Sequence, residues 1–324
     1  MPEGSPSLLI IRLDAIGDAL ALTPALAALR ALAIPVDVVL RSANAHVFAP
    51  GAVRDVVVAG FELRSNAPSN RREIERLGSE LRARSYSHVL VATEDASGYR
   101  LAAATRASNR VGFEDFGSKP FKALWSRRLL TKSIYRAARL NDGTPHECET
   151  LFRLIEPFAG DAAPARDPAS LRPLVLDAPV APGHRVAVQI TDRWERLGIA
   201  FDEVVELVRR LGMQSDLQLI AARGESAYAR LVGEATGHEI TYFEELAPWK
   251  AAIAAAPALV APDSGAPHVA GMTGTPVVAV FPDEAQYAAR VARWAPWAAP
   301  HRVVRARSGW PSAAGDALAR LLSK

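Results

Sequence analysis

The sequence predicts an α/β protein built from two doubly wound domains. Three observations carry that expectation. Short runs rich in Val, Ile and Leu, continuous rather than alternating, recur through both halves of the 324-residue chain, as strands buried on both faces require. Helical stretches separate these runs, which implies right-handed βαβ crossovers and parallel sheets. Between residues 161 and 183 the rhythm is interrupted by Pro164, Pro168, Pro173, Pro179 and Pro182 among alanines, a composition suited to a semi-rigid connector.

Taken in order, the first half offers strands at 8–13, 36–40, 55–58, 89–93 and near 110–113, with helices at 19–33, 70–84 and 98–106 between them. A basic, aromatic segment then runs to Arg139, and a helix over 146–158 ends before Gly160. The second half restarts with strands at 185–190, 217–221, 240–243, 259–261 and 277–281, and helices at 201–211, 226–237, 247–256 and 267–272. A last helix at 313–322 is a candidate to pack back on the first domain. The expected division is a domain at 1–165, a proline-rich linker at 166–184 and a domain at 185–324. Such a pair offers a ligand the cleft between its domains, at the C-terminal ends of the strands.

Apolar residues make up 49% of the chain and charged residues 23%, as in soluble globular proteins. No apolar stretch reaches the roughly 18–20 residues that span a bilayer. The opening MPEGSPS has no basic region, and Arg12 and Asp14 interrupt the apolar run that follows, so no signal peptide is read. The single cysteine, Cys148, cannot form an internal disulfide, and no zinc-ligand spacing occurs. A cytoplasmic protein without a bound metal is the expectation.

A net charge of +3 does not mark a nucleic-acid binder. Basic residues do gather at Lys119, Lys122, Arg127, Arg128, Lys132, Arg136 and Arg139, with no acidic residue among them. They are either a solvated face or a surface for phosphate, carboxylate or membrane headgroups.

Several nucleotide and hydrolase signatures are absent. No G-x-G-x-x-G follows a strand, and neither G-x-x-x-x-G-K-[ST] nor G-x-S-x-G occurs. Nicotinamide, P-loop and α/β-hydrolase chemistry are therefore disfavoured. Four strand-to-helix junctions remain. After the first strand come Asp14, Gly17 and Asp18, readable as caps or as a carboxylate at a cleft that takes a proton. The turn Asp263-Ser264-Gly265 opens a helix that carries His268 one turn in. Backbone N–H groups there make an anion site, while Asp263 or Ser264 as a cap and His268 as a packing residue are the structural alternative. Arg193 can pair bidentately with a phosphate, and its neighbour Trp194 is either a ligand contact or a hydrophobic lid. Glu225 is either an acceptor for ribose hydroxyls or a first-turn helix acid.

Together, "IIRLDAIGDALALTPALAALR", "NRVGF", "PHECETLFRLIEPFAG" and "DSGAPHVAGMTGTPVVAVF" resemble glycosyltransferase family 9, the ADP-heptose:lipopolysaccharide heptosyltransferases. The likeness covers nearly the whole chain in order, and its first and last motifs are the more specific. It implies a GT-B fold, two Rossmann-like domains facing across a cleft. It also implies metal-independent, inverting transfer of a heptose from ADP-heptose to an anionic acceptor such as inner-core lipopolysaccharide. The nucleotide sugar is then a co-substrate, with no further cofactor. On this resemblance Asp18, after Gly17, is the catalytic base and Asp14 a local cap or turn residue. A helix N-terminus keeps the Asp18 carboxylate ionised. Arg193, Trp194, Glu225, Asp263, Ser264, Gly265 and His268 bind the donor. Gly17, Arg127, Arg128, Lys132 and Arg136 meet the acceptor, with peripheral contact at the inner membrane face.

One departure stands out. The family commonly has a lysine two residues before the tryptophan of the second-domain loop. Here Asp192 takes that place and Arg193 follows, and an anion there would repel a diphosphate. Three alternatives fit the fold: a transferase for another nucleotide sugar or acceptor, a nucleotide-sugar 2-epimerase, and a non-catalytic nucleotide-sugar-binding protein. The Gly17-Asp18 pair favours the transferase.

Overall fold

The computed structural model of the chain describes residues 6–65, 67–137, 139–141 and 143–323. It divides into two compact units, Met1–Ala165 and Arg166–Lys324.

In the first unit β1 (Leu8–Ile11), β2 (Val36–Arg41), β3 (Asp55–Ala59), β4 (His88–Val91), β5 (Asn109–Glu114) and β6 (Lys132–Tyr135) form one sheet in the order β3-β2-β1-β4-β5-β6. Every pairing is parallel; Leu8 of β1, for example, lies opposite Val36 on one side and His88 on the other. All four residues of β1 are buried, because strands flank it and helices cover both faces. Leu9 and Ile11 lie in a core with Val39, Val91 and Tyr99.

The second unit holds β7 (Val186–Gln189), β8 (Leu217–Ala222), β9 (Ile240–Phe243), β10 (Leu259–Pro262), β11 (Val277–Pro282) and β12 (His301–Ala306). Their order is β12-β11-β10-β7-β8-β9, again all parallel. Counted from its own first strand, this is the same 3-2-1-4-5-6 winding. Val188, Ile190, Val260 and Val278 fill its core beside Trp194 and Trp310.

Several expectations need correction. The helix foreseen at 19–33 is two helices, Ile16–Leu20 and Thr23–Ala31, the second carrying Pro24 in its first turn, where its missing N–H costs nothing. That at 146–158 is likewise divided into Glu147–Phe152 and Glu156–Ala159. The proline-rich stretch is not merely a connector. Asp167 accepts a hydrogen bond from the Ala169 amide at 3.0 Å and caps a helix, Pro168–Val175. That helix buries Leu171, Leu174 and Val175 and lies against the helix Gly265–Thr273. The last helix, Trp310–Leu322, packs on the helix Phe201–Gly212 and on β12. Among the described residues no helix is long and apolar enough to cross a membrane.

Candidate active site

In a 3-2-1-4-5-6 sheet the chain leaves the first and fourth strands in opposite directions, opening a crevice at their carboxyl ends. Each unit therefore has one such crevice, between β1 and β4 and between β7 and β10.

At the first crevice the organising group is Arg12, whose side chain is 2% exposed. Its Nε donates to the Asp18 carbonyl oxygen at 2.9 Å, and one terminal nitrogen donates to the carbonyl of Ala92, just past β4. The other reaches Asp18 Oδ1 at 3.1 Å and Glu147 Oε1 at 3.2 Å. The Asp14 carboxylate lies 3.4 Å from the guanidinium. A buried charge is tolerated only when paired and hydrogen-bonded, so these contacts hold three segments of chain around one cation. Glu147 is fully buried and also receives Arg136 at 2.9 and 2.8 Å. Arg136 continues to Glu94 at 2.9 Å, and Glu94 in turn meets Lys119 at 3.2 Å.

Asp18 is the third residue of its five-residue helix, and its Oδ2 accepts from the Ala15 amide at 3.2 Å. Its side chain remains 28% exposed, open to a partner. The expectation that the helix N-terminus governs its ionisation is corrected. Burial pushes the Asp18 carboxyl above the ordinary aspartate range; Arg12 opposes this, and the Asp14 and Glu147 charges push it up again. Asp14 does not cap the helix: Ala15 occupies the N-cap, and Asp14 instead faces the crevice.

A cleft of about 920 Å³ opens beside Asp14, lined by Arg64, Glu94, Arg100, Lys122 and Trp125. The Arg100 guanidinium stands over the Trp125 ring at 5.6 Å. The cations Arg64, Arg100, Lys119 and Lys122 share the lining with the carboxylates of Asp14, Glu94 and Asp95, a mixture that suits a polar ligand. The basic residues singled out from sequence are only partly in place. Arg136 is consumed by Glu94 and Glu147, and its side chain is 9% exposed. Arg127 pairs with Glu114 at 2.9 Å. Arg128 and Lys132 are exposed, and Gly17 is buried within its helix. The segment lacks acids of its own, but the fold brings Glu94, Glu114 and Glu147 to it from elsewhere.

At the second crevice, Arg193 links the loops after β7 and β10 by donating from Nε to the Asp263 carbonyl oxygen at 3.1 Å. Asp263 is buried; burial raises its carboxyl, against the hydrogen bond and charge of Arg290, 2.9 Å away. Ser264 takes the N-cap of Gly265–Thr273 in extended backbone, yet neither it nor Asp263 makes a side-chain cap bond. The capping expectation is corrected accordingly. Ser264 Oγ is buried and has no hydrogen-bond partner. An unpaired buried hydroxyl costs about 1–3 kcal/mol. Beside it are the amides of Gly265 and Ala266, which have no intrahelical partner, while Pro267 carries no N–H. The combination leaves hydrogen-bond donors at the second crevice. Glu225 lies at the end of β8, where Thr191 Oγ1 donates to it at 2.6 Å; burial raises its carboxyl.

Two donor-site candidates are buried against aromatic rings. Trp194 is fully buried, stacked on Trp310 at 5.6 Å and donating from Nε1 to the Gln189 carbonyl at 3.0 Å. His268 is 5% exposed and sits edge-on to Trp294 at 5.8 Å. Asp192 is paired with Arg196 one turn on, which offsets the repulsion its charge would offer a diphosphate. Among the described residues no group of three or more His, Cys, Asp and Glu is arranged to hold a metal ion.

Arg12, Glu147, Glu94 and Arg290 were not foreseen as site residues. Arg12 carried a signal, a cation ending a buried strand immediately before two aspartates. Glu147 lies within the quoted motif PHECETLFRLIEPFAG without being singled out, and Glu94 and Arg290 carried no signal.

Two doubly wound units in one chain make the GT-B fold, and solved structures share it over the full length. The glycosyl transferase family 9 structure from Veillonella parvula matches with a TM-score of 0.74 at 16% identity, covering 100% of this chain and 99% of that one. The Escherichia coli heptosyltransferase WaaC with ADP matches at 0.72 and 18% identity, covering 98% and 99%. A UDP-GlcNAc 2-epimerase from Methanocaldococcus jannaschii is more distant, at 0.55 and 13% identity, covering 98% and 93%. No family model matches the sequence, and no curated protein matches it. At these identities the likeness is one of fold.

Proposed function

We propose that the chain is an inverting glycosyltransferase that moves a heptose from ADP-heptose to an anionic acceptor, of the kind found in inner-core lipopolysaccharide. The observation that carries the reading is Asp18, a partly exposed carboxylate fixed by Arg12 at the first crevice, with a cleft beside Asp14 that four cations, three carboxylates and the Phe121 and Trp125 rings line. Its raised affinity for protons suits a general base that must accept a proton and release it again. Asp18 takes the proton of an acceptor hydroxyl as that oxygen attacks the anomeric carbon. Arg64, Arg100 and Lys122 meet the acceptor's negative groups.

In the same reading the departing diphosphate is held by the first N–H groups of Gly265–Thr273, the Ser264 hydroxyl and Arg193, which supplies charge stabilisation without a metal ion. Glu225 accepts from the ribose hydroxyls. The fold stands nearer to the heptosyltransferase than to the epimerase, and that difference favours transfer over epimerisation.

The test has two stages. Calorimetric titration with ADP, UDP, GDP and CMP should show selective binding of ADP; preference for UDP or GDP would assign another sugar donor. Asp18→Ala should then retain ADP affinity and lose about 10²-fold or more in transfer from ADP-heptose to a core glycolipid. Near-normal turnover would remove Asp18 as the base, and donor binding without turnover in the native chain would leave a binding protein.

A further inference from the structure

We infer that the open edge of β12 is a docking groove for an extended acidic peptide segment, which joins the second unit's sheet as a further strand. β12 ends that sheet and has a neighbour, β11, on one side only. A strand so placed presents main-chain N–H and C=O groups ready to pair. Along it runs a groove of about 680 Å³, lined by the four consecutive strand residues 302–305 and by the helix Trp310–Leu322. The helix contributes Ala313, Ala317 and Arg320, whose i, i+4, i+7 spacing puts them on one face. Its two alanines leave the width in which a chain can lie.

The side chains select the occupant. Successive strand residues alternate between the two faces of a sheet. Val304 lies in the core with Trp310, so Arg302 shares the face that the helix covers. Arg305 takes the other face, its guanidinium 4.7 Å from the centre of the Tyr287 ring. Cations therefore stand on both sides of the edge. Arg305 is paired with Asp283. Arg302, Arg307 and Arg320 also line the groove and are exposed, and among the described residues no carboxylate pairs with them. Asp316 is the one acid in the lining. Arg302 and Arg305 are three residues apart, about 10 Å along a strand, too far for one phosphate or carboxylate to bond both. The charge is spread as an elongated polyanion needs, and the main-chain edge selects a polyanion that is a peptide. Charged side chains on an edge deter strand addition in general. Arginines deter neutral and basic strands and reward an acidic one, because opposite charges across a strand pair attract. For the same reason a second copy of this edge is a poor occupant, since it would set arginine against arginine. None of the lining residues belongs to either crevice, so the inference does not rest on the glycosyl-transfer reading.

The experiment titrates the full chain with a capped octapeptide of alternating glutamate and valine, read by fluorescence anisotropy and by backbone amide NMR. Binding should weaken with salt, and the shifted amides should fall on 301–309 and 313–320. Two control peptides should not bind. One replaces each glutamate by lysine. The other is N-methylated at its four central residues, which keeps the charge and removes the N–H groups that pair as a strand. Arg302→Glu with Arg320→Glu reverses the sign of the unpaired charge. It should weaken the acidic peptide more than about tenfold and let the lysine peptide bind. Both positions are exposed, so this variant should melt as the native chain does. Absence of binding by the acidic peptide would overturn the inference, as would equal binding of its N-methylated form or shifts confined to other elements. A dimer, seen by sedimentation velocity, that shields the amides of 301–306 from hydrogen exchange would assign the edge to a second copy of the chain instead.

Discussion

Around Asp18 a single carboxylate is set between one cation and two other carboxylates. Burial, Asp14 and Glu147 raise its proton affinity and Arg12 lowers it. As a base it works only when ionised, so kcat/KM should fall on the acid side through a pKa above that of an ordinary aspartate. Asp14→Asn removes a neighbouring like charge and stabilises ionised Asp18. The acid limb should therefore move to lower pH, with little change on the plateau. A pH–rate profile of the two proteins decides it; an unmoved limb would mean that Asp18 is not the group being titrated. Ser264 allows a second separation of binding from folding. Its hydroxyl is buried without a hydrogen-bond partner, so Ser264→Ala removes an unsatisfied group and should leave thermal stability unchanged or raise it by about 1 kcal/mol. If the hydroxyl receives a phosphate oxygen, the same change should weaken ADP about 10-fold or more. Lost stability with unaltered affinity would give Ser264 a structural role instead.

At the scale of elements, the helix Gly265–Thr273 must lie close to its surroundings to present its N-terminus to the second crevice. Gly271 permits this: a Cβ there would stand 2.8 Å from the Trp297 backbone nitrogen. Backbone cannot yield as a side chain tip can, so Gly271→Ala should cost about 1–3 kcal/mol in chemical denaturation and weaken ADP by displacing the helix. Intact stability would show that the approach has slack. The same elements show what the sequence could disclose. Strands buried on both faces, such as Leu8–Ile11, declare themselves through unbroken apolar runs. The edge strands Lys132–Tyr135 and His301–Ala306 do not, because half their surroundings are solvent and their sequences carry charge. The helix Pro168–Val175 was hidden by its prolines, though Pro168 sits in the first turn, where proline is tolerated. At the site, Asp18, Arg193 and Ser264 were legible because each lies where the chain passes from a buried strand into a helix. Glu147 meets Arg12 across 135 residues and Arg290 meets Asp263 across 27; no local pattern encodes such pairs.

For the whole molecule, the repeated 3-2-1-4-5-6 winding means that each unit closes its own sheet and fills its own core. Every residue assigned to the nucleotide site, Arg193, Glu225, Asp263, Ser264 and Gly265, belongs to Arg166–Lys324. A fragment spanning 166–324 should therefore fold alone and bind ADP within a few-fold of the full chain, without turnover, because Asp18 is missing. The starting residue matters. Beginning at 185, where the first apolar strand of this half begins, deletes Pro168–Val175 and with it Leu171, Leu174 and Val175, which are all but fully buried. Each such side chain contributes about 1.5–3 kcal/mol, so the loss is comparable with the 5–15 kcal/mol that keeps a domain folded. It also uncovers the helix Gly265–Thr273, whose C-terminal Gly274 lies so close to Pro168 that a Cβ there would approach the ring at 2.9 Å. The shorter fragment should be unfolded or aggregate by circular dichroism and light scattering, while the longer one melts cooperatively and is stabilised by ADP. If the shorter fragment folds and binds equally well, the proline-rich segment is a connector after all; if the longer one folds and ignores ADP, the nucleotide site needs residues from the first unit.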